Sequence, residues 1–141
     1  MIWLALDPGE TNGWSLWEDE RRIDAGQDDW ERLIGRLDRL SKNGLRLIVY
    51  ERYALRSSAA KSMIGSEFET VQVIGAVKLM GYQLGIKLVG QMPAQKEFFD
   101  NERLKKLDLY DVGKQHTRDS VRHALYYQYF TAHMRDVREL V

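Results

Sequence analysis

The sequence predicts an α/β domain: five strands in one sheet, with helices on both faces. Three observations point there. Ile2-Trp3-Leu4-Ala5-Leu6 is an unbroken apolar run that stops at Asp7-Pro8-Gly9. Leu45 to Tyr50 is a second, nearly continuous apolar run, and it too stops at an acid, Glu51. Around these runs lie stretches whose apolar residues recur every three or four positions. Short apolar runs closed by turn residues belong to strands buried on both faces; the wider spacing belongs to amphipathic helices.

The elements follow in order. After the first strand and its turn, Gly13-Trp14-Ser15-Leu16-Trp17 alternates in the manner of a strand with one buried face. Glu18 to Arg22 is a polar reversal, and Ile23 to Gly26 a short third strand. A helix then begins at Asp28 or Asp29 as N-cap, with Trp30, Leu33, Ile34, Leu37 and Leu40 on one stripe. Asn43-Gly44 stops it. The Leu45–Tyr50 strand comes next. Residues 54–62 are polar and small, with Ser57-Ser58 opening a helix that runs to about Leu84.

That long helix is apolar on more than one side. Met63, Val71, Ile74 and Val77 form one stripe; Val73, Ala76, Leu79 and Met80 fall elsewhere. One face suits the sheet, and the other suits a second copy of the chain, so a homodimer through residues 62–84 is expected. Gly75 and Gly81 each weaken an isolated helix by roughly 1 kcal/mol, and close packing must compensate. Ile86 to Val89 is the fifth strand. Pro93 opens a short helix to Phe99. Residues 100–115 read as a surface loop. A last helix runs from about Thr117 to Met134, with Val121, Ala124, Leu125, Gln128 and Ala132 on its apolar face.

Composition bounds the function. At 141 residues the chain is expected to be one domain, 1–141. No run approaches the length of a membrane span, and no basic segment precedes an apolar one at the N-terminus, so neither membrane nor signal peptide is expected. Cysteine is absent, which removes disulfides and thiolate sites. Any metal must take oxygen or imidazole ligands. A reducing cytoplasm, bacterial or phage-infected, is the expected setting. Net charge is zero, with a small acidic excess in the first fifty residues and a small basic excess after them. That permits a basic face in the second half.

Taken singly, the polar groups have plain roles. Asp7 either caps its own turn or holds a metal, since an isolated carboxylate beside a core is costly to leave unmet. Glu51 pairs with Arg52 or a helix neighbour, or joins Asp7; in open sheets, ligands gather at the carboxyl ends of strands. His116 and Asp119 lie three apart on a first helical turn. His116, Asp119 and His123 together have the spacing of a metal face, though Arg122 is an unwelcome neighbour for a cation.

Taken together, they resemble a known family. Asp7-Pro8-Gly9-Glu10-Thr11-Asn12-Gly13-Trp14 resembles the opening motif of Holliday-junction resolvases of the RuvC type, in the ribonuclease H-like nuclease superfamily. Glu51 stands where the family's second acid ends a strand. His116-Thr117-Arg118-Asp119 is similar to the closing His-x-x-Asp motif, and Gly90-Gln91-Met92-Pro93-Ala94-Gln95-Lys96 to the segment before the family's Pro-led helix. The element order agrees over nearly the whole chain.

The resemblance implies a ribonuclease H-like fold with a mixed five-stranded sheet. It also implies an endonuclease that resolves four-way DNA junctions by paired, symmetric cuts, leaving 5′-phosphate and 3′-hydroxyl ends. Asp7, Glu51, His116 and Asp119 would be both catalytic and metal-binding. Two Mg2+ ions, replaceable by Mn2+, would sit roughly 3.5–4 Å apart and clamp the attacking and leaving oxygens. Asp7 would bridge them, and His116 would ligate one or orient the water. Lys96, Arg118, Arg122 and Arg52 are either phosphate contacts or ordinary surface charges. Tyr53 either stacks on a base near the branch or simply packs; its offset from Glu51 departs from the family's usual aromatic. Overall neutrality departs too, since phosphate neutralisation supplies most non-specific DNA binding. The rival readings are another nuclease of the superfamily, acting on flaps, branched DNA or RNA, and a silent junction binder. An actin-like or sugar-kinase ATPase needs two such domains.

Overall fold

The structure, a computed structural model, describes residues 1–53 and 68–141. Its elements are β1 (Ile2–Asp7), β2 (Asn12–Glu18), β3 (Arg21–Asp28), α1 (Trp30–Ser41), β4 (Leu45–Glu51), α2 (Glu69–Leu84), β5 (Lys87–Gln91), a 3-10 turn (Pro93–Phe98), α3 (Asn101–Lys106) and α4 (Gln115–Tyr126). A π turn, Tyr127–Thr131, extends α4, and a 3-10 turn, Val137–Leu140, closes the chain. The strands form one mixed sheet in the order β3-β2-β1-β4-β5. β1, β2 and β3 are an antiparallel meander; β4 lies parallel to β1, and β5 parallel to β4.

Side chains alternate across the two faces of the sheet. Leu4, Leu6, Ile48 and Tyr50 pack with Leu33 and Leu37 of α1 and Val73, Ile74 and Val77 of α2. Trp3, Ala5, Leu47 and Val49 pack with Val121, Ala124 and Leu125 of α4. Both faces are covered, which is why these strands read as continuous apolar runs. Asp7 and Glu51 continue the second series, so both carboxyl groups fall on the α4 face. Leu6 pairs with Tyr50 across the ladder, which brings the two acids out side by side.

The first turns of α4 lie close on the sheet because Gly13 and Ser15 of β2 offer little bulk beneath them. A Cβ on Gly13 would stand 1.9 Å from the carbonyl oxygen of His116. Ser15, fully buried, accepts from the Trp17 indole and meets Ser120 Oγ at 3.1 Å. Thr117 Oγ1 donates to Gly26 O at 2.8 Å, tying the first turn of α4 to β3. Gln27 Oε1 accepts the His116 backbone N–H.

Several elements differ from expectation. The long helix begins at Glu69: Phe68 has a left-handed φ of 50°, which breaks the helical path. The expected opening at Ser57-Ser58 and the stripe residue Met63 lie outside the described residues. Val73, not Val71, joins Ile74 and Val77 on the sheet; Val71, Leu79 and Tyr82 are exposed. Gly81 admits Leu88, while a Cβ on Gly75 would meet nothing. β3 runs to eight residues, held by its ladder to β2 in spite of exposed side chains. β5 begins at Lys87 and ends at Gln91, two residues late.

The expected surface loop 100–115 contains α3. Asp100 caps it by accepting from Arg103 N, and Leu104 is fully buried. Trp30 is half exposed, since only Leu33 and Leu37 of its stripe are fully covered. The regular last helix gives way to the π turn at Tyr127, and Ala132 is exposed beyond it. Among the described residues, no helix is long and apolar enough to cross a membrane.

Candidate active site at the carboxyl edge of the sheet

The turn after β1 is closed by Asn12, not by Asp7. Asn12 Oδ1 accepts from Gly9 N at 3.0 Å, and its amide donates to Asp28 O. That leaves the Asp7 carboxyl for other partners, and it faces α4. Oδ2 lies 3.1 Å from His116 Nδ1. Asp7 also shares a hydrogen bond with Glu51.

Glu51 is held by two further residues. Lys96, from the 3-10 turn after β5, places Nζ 2.8 Å from Glu51 Oε1. The same ammonium lies 3.8 Å from Asp119 Oδ2. His123 Nε2, one turn along α4 from Asp119, lies 3.4 Å from Glu51 Oε1. Asp119 in turn takes Arg122 Nη1 at 2.5 Å. Asp7, Glu51 and Asp119 therefore meet around Lys96, with His116 against Asp7. The His116 side chain is 47% exposed while that of Asp7 is 8%, so the group opens to solvent on the imidazole side.

The electrostatics reflect crowded carboxylates. Burial, followed by the hydrogen bond to Glu51 and the charges of Glu51 and Asp119, pushes the Asp7 carboxyl up to about 8; Lys96 opposes this. Burial alone would raise Glu51 as well. His123, Asp7 and Lys96 beside it outweigh this and hold Glu51 down at about 2. Burial would lower Lys96, but Glu51, Asp119 and Asp7 hold its ammonium above the ordinary value. One proton is thus kept between Asp7 and Glu51, as like charges at close range require.

A divalent cation suits this donor set. Three carboxylates and one imidazole, with no sulfur, match Mg2+ or Mn2+, and the proton and ammonium are the counter-charges a cation would replace. As the side chains stand, no group of three acids or imidazoles among the described residues is spaced to hold a metal. Lys96 stands between Glu51 and Asp119.

The other expected contacts divide. Lys96 belongs to the carboxylate group itself. Arg122 is taken up within the chain, donating to Phe99 O, Asp119 and Asn101 Oδ1. Arg118 donates to Asp111 O at 2.6 Å and lies over the Tyr110 ring. Both guanidinium groups are paired within the chain. Arg52 is exposed, with its stem over Gly90, and Tyr53 is half-buried with its ring edge-on to Phe68. Both line a shallow cleft with Tyr50 and Lys78 beside α2.

Sequence reasoning raised His123 only as one member of a metal face with His116 and Asp119. The structure places it beside Glu51 instead. Gln91, paired with Glu51 in the ladder, was read only as part of the segment before the Pro-led helix; only a partner for a fully buried histidine would have singled it out.

No family model matches the sequence, and no curated protein matches it. Solved structures do match. The chain is similar to T. thermophilus RuvC in complex with a Holliday-junction substrate, at a TM-score of 0.69 and 14% identity, over 94% of this chain and 96% of that one. It is also similar to the fowlpox virus resolvase in complex with Holliday-junction DNA, at a TM-score of 0.58 and 16% identity, over 92% and 97%. The class is an α/β domain with a mixed five-stranded sheet. The particular fold is the ribonuclease H-like fold of RuvC-type resolvases.

Proposed function

We propose that this chain is a structure-selective endonuclease that resolves four-way DNA junctions. The observation that carries this is the meeting of Asp7, Glu51 and Asp119 around Lys96, with His116 against Asp7, at one end of the sheet. Its support is the fold shared with two resolvases whose structures contain junction DNA. Asp7, Glu51, Asp119 and His116 would hold two Mg2+ ions, with Mn2+ able to replace them. Such a pair supplies an activated water and stabilises the attacking and leaving oxygens of a phosphodiester.

The chain's own residues divide the remaining work. The exposed imidazole of His116, fixed through Nδ1 by Asp7, orients a water at the mouth of the site. Asp7 would hold a cation as the carboxylate, without the proton that burial and Glu51 keep on it. Lys96 leaves the carboxylates and turns its ammonium to a phosphate oxygen. Arg52 and Tyr53 stand on the neighbouring cleft, where an unpaired or distorted strand can lie. The products are a 5′-phosphate and a 3′-hydroxyl. A homodimer through the exposed face of α2, carrying Leu79 and Tyr82, would set two such sites for symmetric cuts. Junction shape and deformability, more than base edges, would select the substrate. The setting is the cytoplasm of a bacterium or a phage-infected cell.

The test is cleavage of a four-way junction with mapped ends. Wild type is expected to cut paired strands in Mg2+. Asp7→Asn and Glu51→Gln are expected to fold and bind the junction, with cleavage lost by at least about a thousandfold. Equal cutting of linear duplex, flaps and RNA would make this a general nuclease. Binding without cutting by wild type would make it a silent junction protein.

A further inference from the structure

His123 is fully buried, and Gln91 nearly so. Imidazole Nδ1 lies 2.7 Å from Gln91 Oε1, and Nε2 lies 3.4 Å from Glu51 Oε1. Read with the amide in that orientation, Nδ1 carries the proton. The Nε2 lone pair then faces a carboxylate oxygen, and both His123 Nε2 and Gln91 Nε2 are buried with no hydrogen-bond partner. Two acceptors in contact and two orphaned polar atoms are a costly state inside a protein. A half-turn of the Gln91 amide exchanges its nitrogen and oxygen without changing its shape. Gln91 Nε2–H then donates to Nδ1, the imidazole proton moves to Nε2, and Nε2–H points at Glu51. Nδ1 then has a donor, and Nε2–H faces Glu51 at 3.4 Å in place of a lone pair.

We infer that Gln91 and His123 form a relay that positions Glu51: the amide of Gln91 fixes His123 in its Nε2–H tautomer, and that N–H faces the Glu51 carboxylate. The relay joins three elements. Gln91 ends β5 opposite Glu51 at the end of β4, and His123 comes from α4. Helix α4 thus carries two of the cation-facing groups, His116 and Asp119, and one residue that aims a third. The relay's cation role rests on the nuclease reading above; the tautomer does not.

The first test is a long-range 1H–15N correlation spectrum of wild-type protein labelled at histidine, with His123 assigned by comparison with His123→Gln. The Nε2–H pattern is expected; an Nδ1–H pattern would overturn the relay. The second is Mg2+ binding by calorimetry. His123→Leu is expected to weaken binding about tenfold to a hundredfold, and His123→Gln, whose amide nitrogen replaces the Nε2 donor, to recover most of the loss. A folded His123→Leu with wild-type Mg2+ affinity would overturn the positioning role. Should His123→Leu fail to fold, Gln91→Leu takes its place: mixed tautomers with weakened Mg2+ binding support the relay, and an unchanged spectrum and affinity overturn it. Wild type with the expected tautomer and Mg2+ binding that leaves a junction uncut would strike the nuclease reading and leave the relay standing.

Discussion

Asp7 is a carboxyl group held in a place that disfavours its charge. Its folded value is raised from 3.8 to about 8. A carboxyl raised in the folded state stabilises the fold below its unfolded value, and that contribution is lost as pH rises through about 8. Glu51 has the opposite sign: lowered to about 2, it stabilises above its ordinary value of 4.5 and loses that contribution only as pH falls toward 2. In EDTA, wild-type stability should therefore fall between about pH 4 and about 8, as measured by thermal melts. Asp7→Asn should flatten that slope and be more stable than wild type at pH 9, by about 1–3 kcal/mol. Added Mg2+ should remove the difference. A wild-type slope that survives in Asp7→Asn would place the titrating group elsewhere.

The four polar positions were legible in the sequence because each follows a strong boundary signal. Asp7 and Glu51 terminate apolar runs, and His116 and Asp119 begin an amphipathic helix. Their convergence was not legible from spacing alone; it depends on register between β1 and β4 and on how α4 crosses them. Lys96 shows the limit from the other side. Its sequence neighbours describe a surface helix, and only the return of the chain after β5 carries its ammonium into the carboxylates. The intrachain partners of Arg118 and Arg122 were not legible for a similar reason: Asp111 and Phe99 are loop residues that no periodicity locates.

At the scale of elements, the site depends on how closely α4 approaches β2. Gly13 stands beneath the first turn of α4, and the space for a methyl group there is already filled by His116 backbone. Gly13→Ala should shift that turn, cost about 3 kcal/mol of stability in denaturant unfolding, and uncouple His116 from Asp7. Cleavage should fall with it. Gly75→Ala, where nothing lies within 4 Å of the added carbon, should be neutral or stabilising by up to about 1 kcal/mol. Equal effects at the two positions would contradict this account of α4.

The elements that escaped the sequence are those whose cause is not periodic. α3 has a single fully buried residue, Leu104, too few for a 3.6-residue pattern to declare itself. The start of α2 is set by the left-handed Phe68, a conformation that no residue other than glycine advertises. β3 is an edge strand with an exposed face, recognisable through its ladder to β2 and hardly through its side chains.

At the scale of the whole molecule, α2 has an inner face on the sheet and an outer face bearing Leu79, at 57% exposure, and Tyr82, at 88%. These two should lie between protomers of a homodimer. Sedimentation at micromolar concentration should show a dimer for wild type and a monomer for Leu79→Glu/Tyr82→Glu. That monomer should nick junctions one strand at a time, without paired cuts. A wild-type monomer would remove the basis for symmetric cleavage.

The most direct measurement is the anomalous scattering of Mn2+ in crystals of the protein with a four-way junction. The expected result is two peaks among Asp7, Glu51, Asp119 and His116, with Lys96 withdrawn from the carboxylates toward a phosphate. Saturating Mn2+ that leaves no peak there, with Lys96 still between Glu51 and Asp119, would contradict it.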